Sequence, residues 1–179
     1  MRFKQYLTEV ATPAKVEWNP IRDDQRIVSF EVPFKNGSLD IDFSKQGSLT
    51  INDPEYPSNR WEVSFNFVDS TDKKKSLQSP FTLLKKNDGR EFSVFSIVAG
   101  YMKSFLEKKA PDVLTFSTDK DEVSRNNVYK RALAKNKNLM DETGYHLADK
   151  KDVGLYDKYG IEVYDIVSNK FKSGMSEEE

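Results

Sequence analysis

The stretch FSVFSIVAGYMKSFLEKKAPDVLTF, residues 92–116, decides the fold class because its hydrophobic period changes within it. Apolar side chains recur every three to four residues at first, which predicts an amphipathic helix over Phe92–Lys109. Pro111 then stops the helix. The apolar run Val113–Phe116 follows, as is typical of a buried strand after a crossover helix. A sheet covered by helices is therefore expected.

The sequence before this helix has the two-residue alternation of β-strands. It predicts an antiparallel meander of about five short strands. They are Arg26–Phe34, Ser38–Ser44, Leu49–Ile51, Trp61–Val68 and Phe81–Leu84. The dipeptide Asn36-Gly37 favours a tight hairpin turn between the first two.

The sequence after residue 116 predicts a second helix and a final strand or hairpin. Asp119, Asp121 or Ser124 can cap that helix, which should run to about Lys135. Gly144-Tyr145 and Ile161–Val167 supply the last strands. We therefore predict a single α+β domain over residues 1–172, with an antiparallel mixed sheet and two main helices. Residues 173–179 are expected to form an acidic flexible tail.

Composition limits the classes of partner. The 28 Lys and Arg nearly balance the 29 Asp and Glu of the 179 residues, leaving a net charge of −1. Bulk electrostatic binding of nucleic acid is therefore weakly supported, although residues 103–137 form a mildly basic stretch. The absence of cysteine and the single histidine, His146, argue against a metal site. No apolar run is long enough to cross a membrane, so no membrane association is expected.

The order strands, helix, strand, helix, strands resembles the layout of the GNAT acyltransferase fold. The segment from Phe116 to Arg131 is similar to the part of that family that carries a hydrophobic-Tyr pair, here Val128-Tyr129. The resemblance implies that Tyr129 protonates the departing CoA thiolate. It also implies that Gly144-Tyr145 stands where the family has Gly-Phe.

The same resemblance implies an acetyl-CoA site at the start of the long helix. Gly89 and Arg90, with Ser124 and Arg125 further along the chain, are the residues that would bind the cofactor. The family's glycine-rich loop is replaced here by a stretch containing Asp88 and Glu91, and carboxylates beside a pyrophosphate are electrostatically unfavourable. The sequence therefore favours a protein without a cofactor, with acetyl-CoA as the alternative.

A further pattern resembles small uncharacterised proteins of tailed bacteriophages. It comprises Phe116, Ser117, Lys120, Glu122, Ser124, Arg125, Tyr129 and Arg131. This resemblance implies a phage-encoded, non-catalytic binding protein with a protein partner, acting on a host factor or within the virion. The expected location is the host cytoplasm or the virion. The alternatives are a divergent N-acyltransferase and a structural virion component.

Each singled-out residue also has an ordinary structural interpretation. Tyr129 shares a helix face with Val128 and Leu133, so a core tyrosine is a more frequent outcome than a catalytic acid. Trp61, in the most regular strand, is expected to pack in the core. His146 is expected to be structural or exposed rather than a metal ligand.

Overall fold

The computed structural model of the chain describes residues 13–34, 37–46, 59–69, 90–119, 137–148 and 161–170. Within these ranges there are seven strands and two helices. The strands are β1 (Arg22–Asp23), β2 (Ile27–Phe34), β3 (Gly37–Lys45), β4 (Arg60–Asp69), β5 (Val113–Asp119), β6 (Tyr145–Leu147) and β7 (Ile161–Ser168). The helices are α1 (Arg90–Lys109) and α2 (Lys137–Thr143). The predicted α+β class is confirmed.

The strands form a mixed sheet in the order β1-β2-β3-β4-β5-β7-β6. β4 and β5 pair in parallel, with Arg60–Glu62 aligned to Val113–Thr115. The pairs β1/β2, β2/β3, β5/β7 and β6/β7 are antiparallel. A parallel pair needs a crossover connection, and α1 lies in the chain between β4 and β5.

β1 is the first strand in this order, and it pairs only with Val28 and Ser29 of β2. The carbonyl of Ser29 accepts a hydrogen bond from the N–H of Ile21, 2.9 Å away, so this carbonyl faces the β1 side. Backbone groups two residues apart in a strand point in the same direction. The nitrogen of Pro33 therefore faces the β1 side too, and proline has no N–H to donate.

The described residues fall into two compact units, and the first holds those up to Ser44 together with 63–105. The even-numbered side chains of β2 and the odd-numbered side chains of β3 are apolar. They lie on the same face of the sheet and form the core of this unit together with α1. Phe43 stacks on Phe105 at 4.1 Å between ring centroids, and Phe30 meets Phe43 edge-on at 6.2 Å. The other core side chains are Val28, Leu39, Ile41, Val63, Val94 and Val98.

The second unit holds described residues 45–62 and those from 106 onward. Its core contains Phe116 and Tyr164, whose rings stack at 4.9 Å. Trp61 is buried here, as the sequence predicts. The remaining core side chains are Leu106, Val113, Leu114, Met140, Tyr145 and Ile166.

The last turn of α1 ends in this second unit at a residue with a left-handed backbone. Ala110 has a φ of 44°, and its N–H donates to the carbonyl of Leu106 at 3.2 Å. The Asn59 side chain donates to the Ala110 carbonyl at 3.2 Å. Pro111 follows and cannot continue the helix. Glycine is the residue that usually holds such a position, so Ala110 is a strained helix end.

Most predicted elements that fall within the described residues are present, with bounds shifted by a few residues. The strands at 49–51 and 81–84, the helix to about 135 and the tail 173–179 lie outside the described residues. β1 and α2 were not predicted from the sequence. β1 has only two residues, both polar, and α2 is one seven-residue stretch with little apolar period.

Candidate functional site

The second unit carries a polar surface on one side of its strands. Buried apolar residues at 61, 114, 116, 164 and 166 fill the other side of the sheet. Since side chains alternate along a strand, their sequence neighbours must point the opposite way. We call this side the polar face; its polar residues are Arg60, Glu62, Thr115, Ser117, His146 and Asp165, and Val113 and Val167 lie on the same side.

Three residues from three neighbouring strands form a hydrogen-bonded cluster on the polar face. The Thr115 hydroxyl donates to Asp165 Oδ1 at 2.6 Å and accepts from Arg60 Nε at 3.0 Å. A terminal nitrogen of Arg60 also lies 3.3 Å from Asp165 Oδ1. The side chains of Arg60 and Asp165 are 8% and 13% exposed, so this ion pair is largely removed from water. Each charge stabilises the other, because burying a single charge without its partner costs several kcal/mol of folding free energy.

Glu62 lies beside this cluster and has partners of a different kind. One carboxylate oxygen accepts from the Ser117 hydroxyl at 3.3 Å, and the other accepts from the Gln46 side-chain amide. Both of these donors are neutral, whereas Asp165 is paired with a guanidinium. Glu62 is half-buried and Ser117 is exposed. Glu62 is therefore a carboxylate near solvent whose two hydrogen-bond donors carry no charge.

His146 lies at the β6 end of the polar face and is exposed. Its Nδ1 is 2.6 Å from Asn169 Oδ1, so with this amide orientation Nδ1 carries the proton. In the neutral imidazole with this tautomer, Nε2 is the nitrogen with the free lone pair. A carbonyl oxygen that fixes the imidazole tautomer in this way also fixes the ring orientation.

Tyr145 lies next to His146 in sequence but faces the buried side. Its hydroxyl donates to the Pro111 carbonyl at 2.8 Å. Burial, together with the nearby negative charge of Asp112, raises the pKa of Tyr145 to about 12. Gly144 has a φ of 79°, a left-handed conformation that glycine tolerates. It forms the one-residue connection between the end of α2 at Thr143 and the start of β6 at Tyr145. Tyr145 therefore ties β6 to the end of α1 as a neutral hydrogen-bond donor.

The structure describes little of the sequence-predicted site. Arg90 is the first residue of α1, and only its backbone lies within the description. Gly89, Ser124, Arg125 and Tyr129 lie outside the described residues. Whether these five come together is therefore still a prediction.

Sequence reasoning missed the cluster of Arg60, Thr115 and Asp165. One signal for it was present, since Thr115 interrupts the otherwise apolar run Val113–Phe116. A second was a charged residue, Arg60, directly before the buried Trp61. Neither signal identifies the partner, because Arg60 and Asp165 are 105 residues apart in the chain.

No group of three or more potential metal ligands occurs among the residues that the structure describes. In the same ranges, neither helix combines the length and the apolar character that crossing a bilayer requires. Comparison with known proteins gave no matching family model, no matching curated protein and no matching solved structure.

Proposed function

We propose that this chain binds an acyl-CoA and transfers the acyl group to an amine, as its GNAT-like resemblance implies. The observation that carries the proposal is the parallel pair β4/β5 in a sheet where β1/β2, β2/β3, β5/β7 and β6/β7 are antiparallel. With α1 between the paired strands, and β7 placed between β5 and β6, this order supports the layout that the resemblance implies.

The start of α1 is chemically suited to a pyrophosphate. The first turn of this 20-residue helix has N–H groups without helical partners and the positive end of the helix dipole. Arg90, the first residue of α1, adds a cation. These favourable contributions counteract the repulsion that Asp88 and Glu91, the neighbouring carboxylates in the sequence, would exert on a pyrophosphate. Gly89, Ser124 and Arg125 complete the proposed cofactor-binding set.

Bound acetyl-CoA would supply an activated acyl group. The acceptor amine would form the new C–N bond as the C–S bond of the thioester breaks, so the amine nitrogen would lose one proton and the departing thiolate would gain one. We assign Glu62 to accept the proton from the amine, because its hydrogen-bond partners are neutral and Asp165 is committed to Arg60. Tyr129 would donate a proton to the leaving thiolate, as the resemblance implies.

The first experiment is a thermal-unfolding titration with acetyl-CoA and with CoA. Ligand at 100 times its dissociation constant should stabilise the folded state by about 2.7 kcal/mol. Arg90→Ala should greatly reduce the shift. Lys108→Ala is the matched control, because it removes an exposed cation from the last turn of the same helix and should leave the shift unchanged.

The absence of a shift with either ligand would refute this function. The phage-encoded, non-catalytic binding protein that the second resemblance implies would then take its place. If the shift is present, Glu62→Gln and Tyr129→Phe should lower kcat for acyl transfer by about 100-fold each while acetyl-CoA still binds. Unchanged kcat in both variants would contradict the assignment of the two proton-transfer residues.

A further inference from the structure

The carboxylate of Glu62 is held from both of the strands that flank it. β4, which carries Glu62, lies between β3 and β5 in the sheet. Gln46, the residue directly after β3, donates its side-chain amide to Oε2 of Glu62. Ser117 of β5 donates its hydroxyl to Oε1 at 3.3 Å. Each carboxylate oxygen therefore has one donor, and the two donors come from opposite sides of β4.

The backbone places Gln46 for this contact independently of its side chain. The N–H of Gln46 donates to the carbonyl of Arg60 at 2.9 Å, which joins it to β4 two residues before Glu62. Because a carboxylate only accepts hydrogen bonds, the amide must present its NH₂ group to Glu62, and this settles the orientation of the amide. A substitution at Gln46 can therefore remove the donor and keep the backbone bond.

The two donors orient the carboxylate without using up its capacity to accept. An ionised carboxylate has about four lone-pair sites, and the donors occupy one on each oxygen. Within the described part of the chain, the contacts of Glu62 include no cation. The guanidinium two residues earlier, that of Arg60, pairs with Asp165. Glu62 is thus fixed in direction and can still take a further hydrogen bond.

We propose that Gln46 and Ser117 are positioning residues that hold Glu62 in the orientation in which it takes the proton of the acceptor amine, an inference that rests on the proposed function. A general base acts only within hydrogen-bond reach of that proton. A misplacement of about 1 Å can lower a rate by about 100-fold. Ser117 is exposed, so water can replace its hydroxyl, whereas Gln46 is half-buried. Gln46 therefore makes the larger contribution.

The test measures acyl transfer by the full chain from acetyl-CoA to primary amines, among them spermidine and a lysine-containing peptide. Gln46→Leu should lower kcat by about tenfold and leave the dissociation constant of acetyl-CoA unchanged. Ser117→Ala changes an exposed residue without risk to folding, and it should lower kcat by a smaller factor. Ser44→Ala is the matched control, because it removes a half-buried hydroxyl two residues before Gln46, and kcat should not change.

A double-mutant cycle separates positioning from a general structural effect. A residue that acts through Glu62 loses its effect once the carboxylate is gone. Adding Gln46→Leu to Glu62→Gln should therefore leave the remaining kcat unchanged, whereas a structural role would lower it by the same factor in both backgrounds. The side-chain amide signal of Gln46 in ¹H–¹⁵N NMR spectra gives a readout that needs no ligand. It should move in Glu62→Gln and stay in place in Ser44→Ala.

The outcomes distinguish this inference from the function on which it rests. Equal losses of kcat in the two backgrounds, or an unchanged kcat in Gln46→Leu, would overturn the inference and leave the proposed function in place. So would a Gln46 amide signal that does not respond to Glu62→Gln. A wild-type chain that transfers no acyl group to any of these amines would refute the proposed function, and the inference with it.

Discussion

Replacing Asp165 by leucine should destabilise the protein, because it removes a carboxylate that pairs with the largely buried Arg60 guanidinium. The Arg60 side chain is only 8% exposed, so water cannot replace the lost carboxylate. The change also removes the acceptor of the Thr115 hydroxyl, a hydrogen bond of 2.6 Å. Breaking a buried ion pair from one side costs about 3–5 kcal/mol, and we expect a loss in that range.

The double variant Arg60→Met/Asp165→Leu separates the cost of removing one member of the ion pair from the net contribution of the pair. Replacing both partners by apolar side chains removes the buried charge altogether, so unfolding free energy should return to within about 1–2 kcal/mol of wild type. Urea denaturation followed by the fluorescence of the two tryptophans, of which Trp61 is buried on the same strand as Arg60, measures both quantities.

Asp42→Leu is the control, since it removes a half-buried strand carboxylate that aligns with a serine, and it should cost about 1 kcal/mol or less. A loss below about 1 kcal/mol for Asp165→Leu would refute the reasoning, because Arg60 would then have reached water or another anion. A double variant as unstable as Asp165→Leu alone would refute it as well, since the damage would then come from poor packing of leucine.

Three further predictions concern single residues. Ala110→Gly should raise the unfolding free energy by about 0.5–1 kcal/mol, because glycine tolerates the φ of 44° there; no gain on urea denaturation would argue against strain. Tyr145→Phe should cost about 1 kcal/mol through the lost bond to Pro111. Since the pKa of Tyr145 is raised from 10.0 to about 12, wild-type stability should fall between those pH values, and thermal unfolding of Tyr145→Phe should lack that fall. The pKa of Asp24 is lowered to about 2 by two backbone N–H donors and Arg22. The advantage of wild type over Asp24→Asn should therefore be full above about pH 4 and vanish as the pH falls through 2, and an advantage independent of pH would contradict the assignment.

Hydrophobic period predicted the long elements of this fold well. The helix expected over 92–109 is α1 (Arg90–Lys109), and the strand expected over 61–68 is β4 (Arg60–Asp69). These elements bury one face, and burial of a face imposes a period that can be read in the sequence. β1 was not predicted, because both of its residues are exposed and no buried face imposes a hydrophobic period on them.

The polar cluster could not be predicted, for a different reason. A sequence period shows which side chains share a face, and it does not show which strands lie next to each other. Thr115 aligns with Asp165 only because β7 inserts between β5 and β6. The sequence-predicted site differs from the polar cluster, because only the resemblance connects its residues. Most of them lie outside the described ranges, so their arrangement stays a prediction.

The way β2 meets the two-residue strand β1 has a consequence for self-association. An exposed strand edge with regular N–H and C=O groups is a template on which other chains can add strands and aggregate. Beyond Ser29 this edge contains Pro33, which interrupts the row of donors, and Glu31, an exposed negative charge. Both features are known means of blocking strand addition. We therefore expect Pro33 to hinder edge-to-edge addition of strands in concentrated protein, a role unrelated to any ligand.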